Sequence, residues 1–197
     1  MLRFKTLPGL LSALFAALLA AGPAEASVVQ ALGLDDLVEQ SDEILLGRVV
    51  FSESFQRSNG MIGTWHRIEV ERSLRGGPPD EREVIVETLG GQLGDIAMRV
   101  EGEPSFSVGE RVIVFGREGG SLQALRPIGM GQGVMRVRVE DGIDMVRQSH
   151  QGMMLMRRNG SGRLEKSLGA LPRGESLDTF LSRLQSLVDE KAGRGDE

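Results

Sequence analysis

The chain has 197 residues, 23 Lys and Arg against 28 Asp and Glu for a net charge of −5, no cysteine and no tyrosine. An acidic chain with interspersed signs argues against nucleic acid as a partner, because phosphate contact needs clustered cations. Without cysteine there are no disulfides, no thiolate chemistry and no lipoprotein attachment, and with few aromatics the core falls to Val, Ile, Leu and Met.

The first residues read as a Sec-type signal peptide. Arg3 and Lys5 form a basic start, Leu10 to Ala21 is an apolar run, and Ala24-Glu25-Ala26 supplies small residues at the positions a signal peptidase reads. The run is shorter than the roughly 20 residues a membrane span needs. Cleavage is therefore expected between Ala26 and Ser27, giving an exported protein, periplasmic or secreted, without a transmembrane segment. Loss of Arg3, Lys5 and Glu25 moves the net charge from −5 to −6. The expected organisation is a signal peptide at 1–26, a β-barrel domain at 27–147, and a β extension with a C-terminal helix and frayed tail at 148–197.

Ser27 to Gly33 reads as an arm or edge strand. Leu34, Leu37 and Val38 repeat with helical spacing, and Asp35 and Asp36 sit where a helix start favours acids, so Leu34 to Gln40 is a short helix ended by Ser41-Asp42. Glu43 to Phe55 is a long strand with Ile44, Leu46, Arg48 and Val50 on one face and Leu45, Gly47, Val49 and Phe51 on the other. Apolar residues on both faces predict one face toward a barrel interior and one under a covering element. Gly47 in mid-strand predicts a bend or close backbone approach. Asn59-Gly60 turns the chain into Ile62 to Leu74, with His66, Ile68 and Val70 opposed to Trp65, Arg67, Glu69 and Glu71.

Gly76-Gly77-Pro78-Pro79 interrupts the pattern. Strands are then expected at Glu83 to Leu89, at Ile96 to Val100 after the Gly90-Gly91 turn, at Arg111 to Gly116, and weakly at Leu122 to Leu125. Gly129, Gly131 and Gly133 read as a loose connection. Val134 to Glu140 is expected to point Met135, Val137 and Val139 inward, and Asp141-Gly142 turns it into Ile143 to Val146. Gly152 to Arg158 is methionine-rich, and Asn159 to Gly162 is a turn. A helix follows, with Ser176 as N-cap and Leu177, Phe180, Leu181, Leu184, Leu187 and Val188 as one apolar stripe. The fold class is mainly β: a small OB-like β-barrel of five or six curved strands, with a short N-terminal helix and a C-terminal amphipathic helix.

Two stretches carry a resemblance. LDDLVEQSDEILLGRVV (Leu34 to Val50) with IEVERSLRGG (Ile68 to Gly77) resembles the opening of netrin-like modules, whose family includes the tissue inhibitors of metalloproteinases. ETLGGQLGDIAMRVEGEPSFSVGERVIVF (Glu87 to Phe115) with PIGMGQGVMRV (Pro127 to Val137) is similar to a group of uncharacterised exported bacterial proteins. Those carry Gly-Gly-x-x-Gly, Gly-x-Pro-x-Phe-x-x-Gly-Glu and Gly-Gln-Gly elements. The first resemblance implies an OB-like fold and a metalloprotease partner. The inhibitors chelate the protease zinc through an N-terminal cysteine held by disulfides, whereas cleavage here leaves Ser27-Val28-Val29 at the start.

His66 and His150 lie far apart, with no second ligand at i+2 or i+4, so no metal and no cofactor are expected; His66 is expected to hydrogen-bond within a strand face. Asp42 and Glu43 read as turn residues. The Gly90 to Gly94 and Gly129 to Gly133 runs lead into strands rather than opening helices, so they are turns, not phosphate cradles. There is no Gly-x-Ser-x-Gly elbow, and Ser161 lacks a partner base. Met153, Met154 and Met156 form a core strand, an adaptable apolar binding surface or, least in keeping with the pattern, copper-binding thioethers. The expected function is an exported, non-enzymatic binding module for another exported protein, with Ser27, Val28, Met153, Met154 and Met156 as candidate binding residues. The alternatives are a metalloprotease inhibitor acting through the mature N-terminus, and a hydrolase with a spatially assembled carboxylate pair.

Overall fold

The structure, a computed structural model, describes residues 27–76, 83–171 and 173–194. The expected signal peptide, Ala26, most of the Gly-Pro break and the last three residues lie outside them. The elements in chain order are β1 (Ser27–Gln30), α1 (Leu34–Gln40), β2 (Glu43–Gln56), β3 (Ile62–Arg75), β4 (Glu83–Leu89), β5 (Gly91–Leu93), β6 (Ile96–Met98) and β7 (Arg111–Glu118). They continue as β8 (Leu125–Pro127), β9 (Val134–Glu140), β10 (Ile143–Gln148), β11 (Met153–Arg158), β12 (Leu164–Lys166), β13 (Glu175–Ser176) and α2 (Leu177–Arg194). The protein is mainly β, with the short helix and the C-terminal helix where the sequence predicts them. No helix among the described residues is long and apolar enough to cross a membrane.

β2 organises the main sheet. It pairs antiparallel with β3 along one edge and with β7 along the other. From there the order runs β2-β3-β4-β8, and β8 also pairs with β7, so five strands form a ring. The closure is thin, because β4 meets β8 through one residue pair, Val86 and Leu125. The expected OB-like barrel is therefore a five-strand ring rather than a fully laddered cylinder. β9, β10 and β13 extend the sheet beyond β7.

Two apolar clusters flank β2, as its two-faced pattern predicts. Inside the ring lie Leu45, Val49, Ile68, Val70, Val84, Val86, Val112, Val114 and Leu125. On the outer face Ile44, Leu46, Ile113, Phe115 and Met135 pack beneath α1 and the α2 stripe of Leu177, Phe180, Leu181, Leu184 and Val188. Each such side chain removed from water stabilises the fold by roughly 1.5–3 kcal/mol. The Ser176 hydroxyl accepts the Thr179 amide at 3.3 Å, which makes it the cap of α2.

α1 is only two turns long, so its ends must be satisfied from outside. Asp36 accepts the Gly33 amide at 2.7 Å. At the other end the Ser41 hydroxyl donates to Leu37 O at 2.6 Å, Arg75 donates to Val38 O, and Arg117 donates to Gln40 O at 3.1 and 3.2 Å. Two guanidinium groups thus sit where the helix dipole is negative. The Leu74-Arg75-Gly76 turn meets the short helix through Arg75.

Several local expectations are corrected. Ile96–Met98 belongs to a separate two-stranded hairpin with Gly91–Leu93, not to the ring, and Ile96 is 69% exposed. The expected strand at Leu122 to Leu125 is instead a 3-10 turn at Ser121–Gln123 followed by β8. Val139 is 71% exposed rather than inward, because β9 has by then run past the outer core. The Gly129 to Gly133 segment is a compact 3-10 turn with Gly131, Gln132 and Gly133 buried, not a loose connection. Gln132 explains its order: its side chain accepts the Leu32 amide at 2.9 Å and donates to Gln30 O at 3.0 Å, pinning the N-terminal arm to the ring.

The second face of β2 is set by a bulge. Val49 pairs with Ile68 and Phe51 with Arg67, leaving Val50 without a partner. One extra residue reverses which side chains face inward. The parity expected from sequence therefore holds through Val49 and inverts after it. Two further register shifts fall between Ile44 and Leu45 and between Leu46 and Gly47. A Cβ at Gly47 would stand 2.5 Å from both Glu69 O and Ile68 Cγ2, so the two backbones approach too closely for a side chain. Gly47→Val is expected to lower the unfolding free energy by about 2–3 kcal/mol through overpacking, seen as a lower urea midpoint at unchanged slope. An unchanged midpoint would show that β2 has room there.

Candidate functional site

The bulge gives the ring two ends of opposite character. Below it the interior is aliphatic. Above it, Ser52 and Ser54 turn inward and face β3 residues on the same side as Ile68. The register sets Ser52 opposite His66 and Ser54 opposite Thr64, and Thr64 opposite Thr88 on β4. These five side chains line a cavity of about 360 Å³ at the mouth of the ring. That is within the range of small-molecule sites.

The polar groups are paired with one another. Ser52 Oγ lies 2.7 Å from His66 Nδ1, and Thr88 Oγ1 lies 3.0 Å from His66 Nε2. Ser54 Oγ lies 3.0 Å from Thr64 Oγ1, which donates to Gly90 O at 2.7 Å. The Phe106 ring covers His66, with centroids 4.6 Å apart and planes at 52°. Glu103 accepts the Leu89 amide at 3.2 Å and is the one carboxylate in the cavity wall among the described residues. Burial raises its pKa, opposed by the Leu89 amide and by Arg126 and Arg57.

Burial lowers the His66 pKa to about 4. The imidazole is thus neutral at physiological pH, with one nitrogen to donate and one to accept, and hydroxyl partners satisfy both roles. A Ser–His contact of 2.7 Å has the reach of a nucleophile–base pair. A base this weak is far from the pKa that general-base catalysis favours. The arrangement suits hydrogen-bond recognition of a neutral polar group.

Two of the three elements of the second resemblance reach the cavity, and the Gly131-Gln132-Gly133 element does not. Gly90 and Gly91, Gly102, Pro104 and Phe106 all line the cavity. Gly91 has φ +134°, and a Cβ there would stand 2.3 Å from Thr64 Oγ1 and 2.4 Å from Ser54 Oγ. A side chain would therefore fill the mouth.

The residues singled out from sequence come together elsewhere. β1 runs parallel to β11, with Ser27 against Met153, Val28 against Met154 and Gln30 against Met156. Val28 is 67% and Met154 37% exposed, on the open side of a three-stranded sheet with β12. Met153 reaches the cavity's edge, where it lines a narrow neck with Gly102, Glu103 and Gln151. His150 accepts no role in the cavity; its Nε2 bonds Leu168 O at 3.1 Å, and burial lowers its pKa against that bond. Asp42 accepts the Glu118 amide at 2.9 Å, as a turn residue should. Among the described residues no three His, Cys, Asp or Glu side chains are grouped to hold a metal ion.

Sequence reasoning passed over Ser52, Ser54, Thr64 and Thr88. The available signal was Ser-x-Ser and Thr-x-His at strand period on the two arms of a predicted hairpin. No protein-family model matches this chain, and no curated protein matches it. The site therefore rests on its own geometry.

Because His66 takes up its proton near pH 4 when folded and near 6.5 when unfolded, the unfolded chain binds more protons between those values. Stability should be constant above about pH 6.5 on this account and fall by up to about 3 kcal/mol as pH drops toward 4. In denaturant unfolding across that window, His66→Gln is expected to show a shallower fall than the wild type. Parallel curves would show that His66 is not held neutral.

Proposed function

We propose that the protein is an exported binding module that takes a small, neutral, hydroxyl- or amide-bearing group into the mouth of the five-strand ring. One observation carries this reading: four hydroxyls and a neutral imidazole converge on a cavity of about 360 Å³ above an aliphatic floor. Their hydrogen bonds are satisfied internally, so a ligand exchanges them for its own rather than rescuing orphaned groups. Such exchange gives selectivity for geometry, because a ligand that fails to match leaves buried donors or acceptors unpaired. Phe106 adds an apolar wall against which a ring can lie.

Galactose serves as the neutral hydroxyl-rich probe and N-acetylglucosamine as the amide-bearing one. Titration of either, followed by NMR at His66 and Thr88, should give saturable shifts in the millimolar range or tighter. Thr88→Val, which keeps the shape and removes one hydroxyl, should abolish them. Absence of saturable shifts with both probes would overturn the reading.

A second reading has its own support. Inhibition of a metalloprotease through a mature N-terminus at Ser27 requires a rigid start. The Ser27 amide donates to Gly152 O at 3.1 Å and Ala31 to Met156 O at 2.8 Å, while Gln132 clamps Gln30 and Leu32. These contacts supply without disulfides the anchoring that disulfides give in the resembled family. An N-terminal extension before Ser27 should abolish inhibition of a zinc protease by the processed protein. Inhibition that survives the extension, or is absent without it, would remove this alternative.

A further inference from the structure

Beside the mouth of the ring lies a second cavity of about 490 Å³, and the two share Ser105 and Gln151 in their walls. The neck, about 30 Å³, shares wall residues with both, and its lining includes Glu103 and Arg136. The second cavity is walled by Arg136, Arg138 and Arg147, with Glu110 as its one carboxylate among the described residues. Counting Glu140, which pairs with Arg147 from outside the wall, three cations stand against two anions, a local excess of positive charge in a chain whose net charge is −5.

The arginines are brought together by strand pairing. Arg136 and Arg138 share a face of β9, and Arg147 on β10 stands directly opposite Arg136. Like charges directly opposite across strands destabilise a sheet unless something compensates them. Two are partly compensated. Arg136 donates Nε to Glu110 and Nη2 to Ser105 O, each at 2.7 Å. Arg147 grips Glu140 with Nε and Nη2, both at 2.6 Å. These contacts fix the planes of both guanidinium groups while leaving Nη1 of each without a hydrogen bond among the described residues. Arg138 makes no hydrogen bond or close ion pair among them and is attracted to the Glu140 carboxylate only at longer range. Fixed guanidinium planes with spare donors are suited to a planar or tetrahedral oxyanion.

We infer that the ligand of the ring mouth carries an anionic group, carboxylate or phosphate, which passes the neck at Ser105 and Gln151 and is held by Arg136, Arg138 and Arg147. This rests on the ring-mouth reading and names the chemical class of its ligand: a polar, hydroxyl-bearing head joined to an oxyanion. Arg138 supplies a charge that no hydrogen bond ties down, although Glu140 lies within its electrostatic reach. Arg136 and Arg147 supply oriented donors. The hydroxyl-lined mouth, whose one carboxylate among the described residues is Glu103, takes the hydroxyl-bearing head rather than the anionic group.

The test compares galactose with galacturonate and galactose 6-phosphate on the purified protein, with binding followed at His66 for the mouth and at Arg138 for the groove. The two charged probes should bind at least about tenfold more tightly than galactose, and added salt should weaken only them. Arg138→Gln and Arg147→Gln should each remove most of that advantage and leave galactose unchanged. The carboxylate and phosphate arms show which oxyanion the groove prefers. Equal affinity for charged and neutral probes, with His66 still responding to all three, overturns this inference and leaves the ring-mouth reading standing. A charged-probe advantage that survives both arginine variants also overturns it. No response at His66 to any probe overturns both.

Discussion

The unpaired residue at Val50 is the constraint on which the rest of the arrangement depends. A strand with strict period two would keep one face toward the ring interior along all of Glu43–Gln56. That would carry Phe51, Glu53 and Phe55 inward. The bulge reverses the parity, so Leu45 and Val49 fill the floor and Ser52 and Ser54 reach the mouth. One strand therefore supplies both a dry core and a polar rim. Phe51 and Phe55 are left outside, where Phe51 lies beneath the Arg67 guanidinium and Phe55 stacks on Trp65 with centroids 3.8 Å apart.

The polar mouth is tolerable because its members satisfy one another. A buried imidazole without partners would cost more than a stable small domain can spare. Here hydroxyls occupy both nitrogens, and burial keeps the ring neutral. A similar logic governs Glu87, fully buried on the outer side of β4, which holds Arg57 at 2.9 Å and accepts the Ser121 amide at 2.7 Å. Ser121 in turn accepts the Trp65 indole at 2.9 Å. Polar networks therefore secure both sides of the β3–β4 edge, while aliphatic packing secures the base.

Much of the fold was legible because its elements follow from local chemistry. The apolar periods of Leu34 to Val38 and Leu177 to Val188 specify helices wherever they sit. The two-faced runs at Ile44 to Val49 and Val112 to Phe115 require cover on both sides and receive it from the ring interior and the helices. Gly47 was legible as a point of close approach, since a glycine in mid-strand needs such a reason. The errors fall where a weak local pattern met a tertiary demand. Ile96 and Met98 alternate like a ring strand but pair only with Gly91–Leu93. The glycines at 129–133 look loose until Gln132 is seen to clamp the arm.

Composition and periodicity by themselves determined that this chain is a mainly β protein with a helix at each end, a Val-, Ile- and Leu-rich core and a long central strand buried on both faces. Those properties depend on side chains a few residues apart. The candidate site depends on side chains 10 to 36 residues apart, from Ser52 to Thr88, and on a register that one bulge shifts. Only the tertiary structure decided that Ser52 meets His66, that His66 meets Thr88, and that three arginines on β9 and β10 open beside them. A one-residue slip in pairing changes every partner while leaving the local sequence pattern untouched.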